Sequence, residues 1–71
     1  MDEMEGDIKQ GDVVELEPTA TYYDGRIIPA WVKADRWIVS RVEGDYVVIN
    51  ENVSGSHAIQ SAVRMKYLRK V

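Results

Sequence analysis

The sequence predicts a small all-β domain, a five-stranded barrel. Short runs of β-branched and aromatic residues recur five times between turn signals. No stretch carries a helical apolar period long enough to stand as an independent helix. A chain of 71 residues holds one domain at most, and a closed barrel removes the edges that a short sheet could not otherwise protect.

Residues 1–9 lack periodicity and read as a disordered or frayed acidic arm, leaving 10–71 for the barrel. "GDVVELEP" opens on a glycine turn, sets Val14 and Leu16 against Val13, Glu15 and Glu17, and ends at Pro18, as a half-buried strand does. Residues 18–36 form a long aromatic loop. Within it Asp24-Gly25 marks a tight turn, "RII" reads as a short strand, and Pro29 breaks that strand. "RWIVSRVEGDYVVIN" is the clearest signal, two β-rich runs around Glu43-Gly44-Asp45, hence a hairpin. "ENVSGSH" is a polar turn cluster, "AIQSAV" a fourth strand, and "RMKYLRKV" a short helical turn followed by the last strand. The expected core is Val14, Leu16, Ala20, Ile28, Val39, Val47, Ile49, Ile59, Val63 and Leu68, with Trp37 as an inward residue of the second strand.

Hydrophobic residues make up 45% and charged residues 30%, too apolar a balance for disorder. The net charge of −3 is unevenly spread. Residues 1–17 hold seven acids against Lys9, a balance of −6, whereas 18–71 hold five acids and eight bases, a balance of +3. Four of those bases, Arg64, Lys66, Arg69 and Lys70, lie near the end and admit an anionic partner, against the plainer reading of a solvated strand face. No apolar run reaches membrane-spanning length, and "MDEMEGDIKQ" is unlike a secretory signal. An exported protein with this sequence would therefore be a fragment or be released by other means.

Catalytic chemistry finds little footing. His57, the one histidine, follows "SGS" with no orienting carboxylate nearby in sequence, and reads as a polar turn residue. One histidine without cysteine makes neither a zinc site nor a disulfide, so no metal and no cofactor are expected. Asp24, Asp35 and Asp45 fall at turns, where aspartate is favoured for its backbone hydrogen bonds. "NVS" at 52–54 fits a glycosylation sequon, a triplet common by chance. The expectation is a non-enzyme.

What remains is binding. Four of the six aromatic residues, Tyr22, Tyr23, Trp31 and Trp37, crowd into "ATYYDGRIIPAWVKADRW". Trp37 lies in an apolar strand and belongs to the core. Tyr22, Tyr23 and Trp31 flank a turn or follow a proline, where a core needs few aromatics, and they lean towards a recognition surface.

The order of elements resembles the SH3-like β-barrel, with an "A-x-Y-Y" pair in the long loop and a tyrosine in the helical turn before the last strand. On that resemblance Tyr46 and Tyr67 join Tyr22 and Tyr23 around one groove. More specifically, residues 10–71 look like the bacterial SH3-type modules of phage endolysins and cell-wall amidases. The matches are Gly11-Asp12, Val14, Ala20, Tyr22-Tyr23, Ile28-Pro29, Trp31-Val32-Lys33, Trp37, Val42 and Gly44-Asp45. The chain departs from the pattern in lacking an aromatic near Ala62-Val63 and any hydrolase domain. Arg64 also stands where peptide-binding SH3 domains place a proline.

The resemblance implies a non-catalytic module that binds peptidoglycan or another wall polymer, outside the cell. Its ligand-binding residues would be Tyr22, Tyr23, Trp31, Tyr46, Tyr67 and Arg64. Sugar faces would stack on the aromatics, and stem-peptide carboxylates would suit Arg26, Lys33 or Arg64. A peptide or protein partner in the same groove is the second expectation. Nucleic acid is the third, disfavoured by the net negative charge, and no membrane partner is expected.

Overall fold

The computed structural model describes residues 8–71. Its elements in chain order are β1 (Val13–Leu16), a one-turn helix α1 (Ala30–Lys33), β2 (Trp37–Glu43), β3 (Tyr46–Asn52), β4 (Ala58–Arg64), a 3-10 turn (Met65–Tyr67) and β5 (Leu68–Lys70). All five strands form one antiparallel sheet in the order β4-β3-β2-β1-β5. The all-β class, the five strands and the turn before the last of them are as the sequence predicts.

β4 and β5 stand at the two edges of this order rather than beside each other. The edge of β4 is covered by the long loop instead. Tyr22 bridges Val63, and the Tyr23 N–H donates to the Ala62 carbonyl at 2.8 Å. Those bonds occupy backbone groups that an open edge would leave unpaired.

The hairpin between β2 and β3 turns on two residues, Gly44 and Asp45, because Glu43 and Tyr46 are direct partners. Gly44 has φ +60° while Asp45 keeps a negative φ, the pattern of a type II′ turn whose twist matches the strands. A Cβ at Gly44 would meet nothing within 4 Å, so only its backbone conformation penalises a side chain there. Gly44→Val is expected to cost about 1–2 kcal/mol in urea unfolding.

Three register shifts bend the sheet, two between β2 and β3 and one between β3 and β4. They also break simple alternation. Val47 and Ile49 point inward at even spacing, but the next inward residue of β3 is Asn52. In β2 the inward set passes from Trp37 and Val39 to half-buried Val42.

Of the ten expected core residues, nine are buried, and Trp37 lies among them fully enclosed. Ile59 is the exception: it is half-buried and packs against the core from outside, beside the register shift of β4. Ile8 and Val32 join the core although the sequence reading left them out. The arm expected over residues 1–9 falls outside the described residues up to residue 7, but Ile8 is 4% exposed and packed. Val32 turns inward because Pro29 opens α1, where the sequence reading expected no helix. "RII" forms no strand. Its Ile27 makes an isolated bridge with Thr21, and Ile28 enters the core.

Two buried polar groups fix the end of the sheet near α1. The Trp37 Nε1–H donates to the Val32 carbonyl at 2.8 Å, tying β2 to the helix. Asn52 is 1% exposed and its amide is fully used. Its Nδ2 donates to Asp35 Oδ2 at 2.8 Å and Ser56 Oγ at 2.9 Å, and its Oδ1 accepts the His57 N–H at 3.1 Å. The Asn52 sequon is thus a pin for the β3–β4 turn, with no free amide proton to modify in the fold.

Candidate binding groove

The tip of the long loop is a small hairpin of its own. Thr21 bridges Ile27, the Tyr22 N–H donates to the Arg26 carbonyl, and Gly25 returns to the Tyr22 carbonyl at 2.8 Å. Gly25 takes φ +93°, which a side chain would resist. Asp24 Oδ1 accepts the Arg26 N–H and its Oδ2 accepts from Arg26 Nε at 2.8 Å. The Arg26 N–H, with help from the guanidinium, outweighs desolvation and holds the Asp24 carboxyl below its ordinary value of 3.8.

Pairing of this hairpin with β4 sets Tyr23 over the sheet. Its ring meets Tyr46 of β3 edge-to-face, centroids 4.9 Å apart. Arg64, the direct cross-strand partner of Tyr46, places its guanidinium over the Tyr23 ring at 4.6 Å. Asp45 Oδ2 accepts from Arg64 Nη1 at 2.9 Å and holds it there. Tyr22 packs half-buried against the core, with the Arg26 guanidinium 5.7 Å from its ring centroid. Each loop tyrosine thus carries a stacked arginine, and each arginine is braced by an aspartate. Asp24, Asp35 and Asp45 all accept backbone N–H groups, the role their turn positions suggested.

These side chains line a shallow hollow of about 270 Å³ between Tyr22, Tyr23, Asp24, Arg26, Tyr46 and residues 60–62. A second hollow of about 240 Å³ reaches from Tyr46 and Val48 to Ser40 and Arg41. Both are lined by Tyr46, Gln60 and Ala62, so they form one continuous groove across the outer face of β2, β3 and β4.

Of the six residues singled out in the sequence, the structure brings Tyr22, Tyr23, Tyr46 and Arg64 together. Trp31 lies elsewhere: it is 50% exposed, and its ring partners are Trp37 at 6.3 Å and His57 at 5.1 Å. The α1 turn carries it towards the β3–β4 connection. Tyr67 packs half-buried against the core with Lys66 over its ring at 5.2 Å, and does not line the groove. Gln60, Ser61 and Ala62 do line it and were not foreseen. Nothing distinguishes them in "AIQSAV" until strand pairing is known.

The bases are paired rather than massed. Arg36 and Arg69 meet Glu15, Arg69 also meets Glu17, Arg41 meets Glu43, and Lys70 meets Asp12. Lys33 donates to the Pro18 carbonyl at 2.6 Å, away from the tyrosines. Such exposed pairs contribute about 0–1 kcal/mol each, but they cancel the local field. Arg64, Arg69 and Lys70 of the terminal cluster each meet a carboxylate, which makes that cluster a poor landing site for a polyanion.

No family model matches the chain, and no curated protein or solved structure matches it.

Proposed function

We propose that the chain is a non-catalytic binding module whose tyrosine groove docks on bacterial cell wall, with peptidoglycan as the polymer, in the manner of the SH3-type modules it resembles. The observation that carries this reading is the Tyr23–Tyr46 pair with Arg64 over it, lining a shallow open groove. Aromatic faces suit the apolar faces of sugar rings, and the N–H groups of Arg26 and Arg64 that meet no acceptor among the described residues suit ligand carboxylates. A groove this open gives weak affinity for one repeat unit. A polymer compensates by presenting many.

Co-sedimentation with purified sacculi tests the proposal. Tyr23→Ala and Tyr46→Ala, folded by circular dichroism, are each expected to weaken sedimentation at least about tenfold. Trp31→Ala is expected to sediment like the wild type, because its ring stands apart from the groove. Undiminished binding by both tyrosine variants would remove the groove from the proposal. Capture of one discrete protein by a chain that ignores sacculi would favour the reading as an assembly module.

A further inference from the structure

Gln60 has φ +46° and is the one residue other than glycine with positive φ among those described. It occupies a bulge. Ile49 faces Ser61 and Glu51 faces Ala58, so Asn50 alone on β3 stands opposite Ile59 and Gln60 on β4. The Ser61 hydroxyl donates to the Ile59 carbonyl at 3.1 Å and closes the bulge from its own strand. Such a position ordinarily selects glycine, since an L side chain there strains the backbone. Here it carries a long primary amide.

Two further facts give that amide a destination. Gln60 is exposed and lines both hollows, at the middle of the groove beside Tyr46 and Ala62. Its side chain makes no hydrogen bond to any described residue and is exposed, so among those residues nothing competes for its carbonyl and NH₂. A primary amide offers one acceptor and two donors in a plane, the complement of a secondary amide, which presents one N–H and one C=O. Strain retained at a site that glycine would relieve points to work done by the side chain.

We infer that Gln60 is the specificity-determining contact of the groove, pairing with a secondary amide of the ligand while Tyr23 and Tyr46 hold the adjoining apolar face. This rests on the groove being the binding surface. The secondary amide has two sources in a wall polymer, the acetamido group of an N-acetylated sugar and the peptide bonds of the stems.

The test compares Gln60→Gly, Gln60→Glu and Tyr46→Ala by sedimentation with intact sacculi, N-deacetylated sacculi and peptide-stripped glycan strands. Glycine fits the bulge better than glutamine, so Gln60→Gly is expected to keep or raise Tm, by up to about 5 °C, while losing about tenfold in binding. Gln60→Glu keeps the shape, loses both donors, and is expected to lose binding comparably. Wild-type binding lost on deacetylation assigns the acetamido group, and binding lost on peptide removal assigns the stem. Full binding by Gln60→Gly with binding lost in Tyr46→Ala would overturn the role of Gln60 and leave the groove standing. Full binding by both would overturn the groove itself. Wild-type binding that survives both treatments of the wall would overturn amide recognition.

Discussion

Replacing Trp37 with alanine is expected to leave the domain largely unfolded at 25 °C. The indole is fully buried at the junction of β2, α1 and the core, and truncating an aromatic side chain there costs about 3–5 kcal/mol. A domain of this size draws only about 3–5 kcal/mol of net stability from its core, so the loss matches the whole. The loss is more than volume. Without Nε1–H the buried Val32 carbonyl keeps only the longer bond from the Asp35 N–H at 3.3 Å, and α1 is untied from β2. Trp37→Phe keeps most of the bulk and isolates that second effect, at about 0.5–1.5 kcal/mol. Trp31→Ala, at a half-exposed ring, is expected to cost under about 1 kcal/mol. Urea titration by far-UV circular dichroism separates the three. A Trp37→Ala midpoint close to wild type would refute the core assignment.

Asn52→Ala is expected to be the second most damaging change, although the position reads as an ordinary polar turn residue. It removes a buried amide making three side-chain hydrogen bonds and leaves the His57 N–H without its side-chain acceptor, at about 1–3 kcal/mol. The change also has a pH signature. In the wild type, donation from Asn52 is the largest influence holding the Asp35 carboxyl below 3.8, followed by the Arg36 N–H, with the charge of His57 adding to them. A carboxyl whose pKa is lower in the folded state stabilises the fold above its unfolded pKa. That contribution is lost as pH falls through the depressed value. Wild-type stability is therefore expected to drop on acidification below about pH 3.8. In Asn52→Ala the Asp35 pKa moves up towards its ordinary value, and that slope flattens. Asn52→Asp reverses the sense: a second carboxylate facing Asp35 raises the folded pKa of the pair. Stability is then poorest at neutral pH and partly recovers as pH falls towards 4. Carbon-13 titration of the Asp35 carboxyl with parallel urea curves at pH 3, 4 and 7 checks both variants. An Asp35 pKa that does not move in Asn52→Ala would break the link.

The contrast between these two positions explains how much was legible in the sequence. Trp37 could be read as core because it sits in an apolar, β-branched run whose period places it inward. Val14 and Leu16 follow the same logic, and the hairpin was legible because Gly44 supplies the positive φ its turn requires. Asn52 was not, because a register shift turns it inward, and register is a property of two strands rather than of one. Val32 was missed for a related reason. One turn of helix is too short to leave a period, and only Pro29 before "AWVK" hinted at it.

The candidate site was legible in part. Tyr22, Tyr23, Tyr46 and Arg64 were grouped on a resemblance, and loop-to-β4 pairing does bring them together. Trp31 was grouped with the tyrosines because it follows a proline in the long loop, where a core needs few aromatics, but α1 carries its ring to His57. Gln60 left no trace at all, since a glutamine in a strand is unremarked until its φ is known.

The pairing of β1 with β5 constrains how the chain can be made. Val14 faces Lys70 and Leu16 faces Leu68, so the first strand finds one of its two neighbours only at residues 68–70. Tyr22 likewise waits for Val63. During synthesis on a ribosome, β2 and β3 can zip together as soon as they emerge, whereas β1 and the aromatic loop must wait. Until residues 68–70 are free of the ribosome, β1 lacks one of its two neighbours and the sheet is unfinished at that edge. Closure of the β1 edge therefore waits for β5, and a chain stalled short of β5 is one that chaperones and proteases can still distinguish.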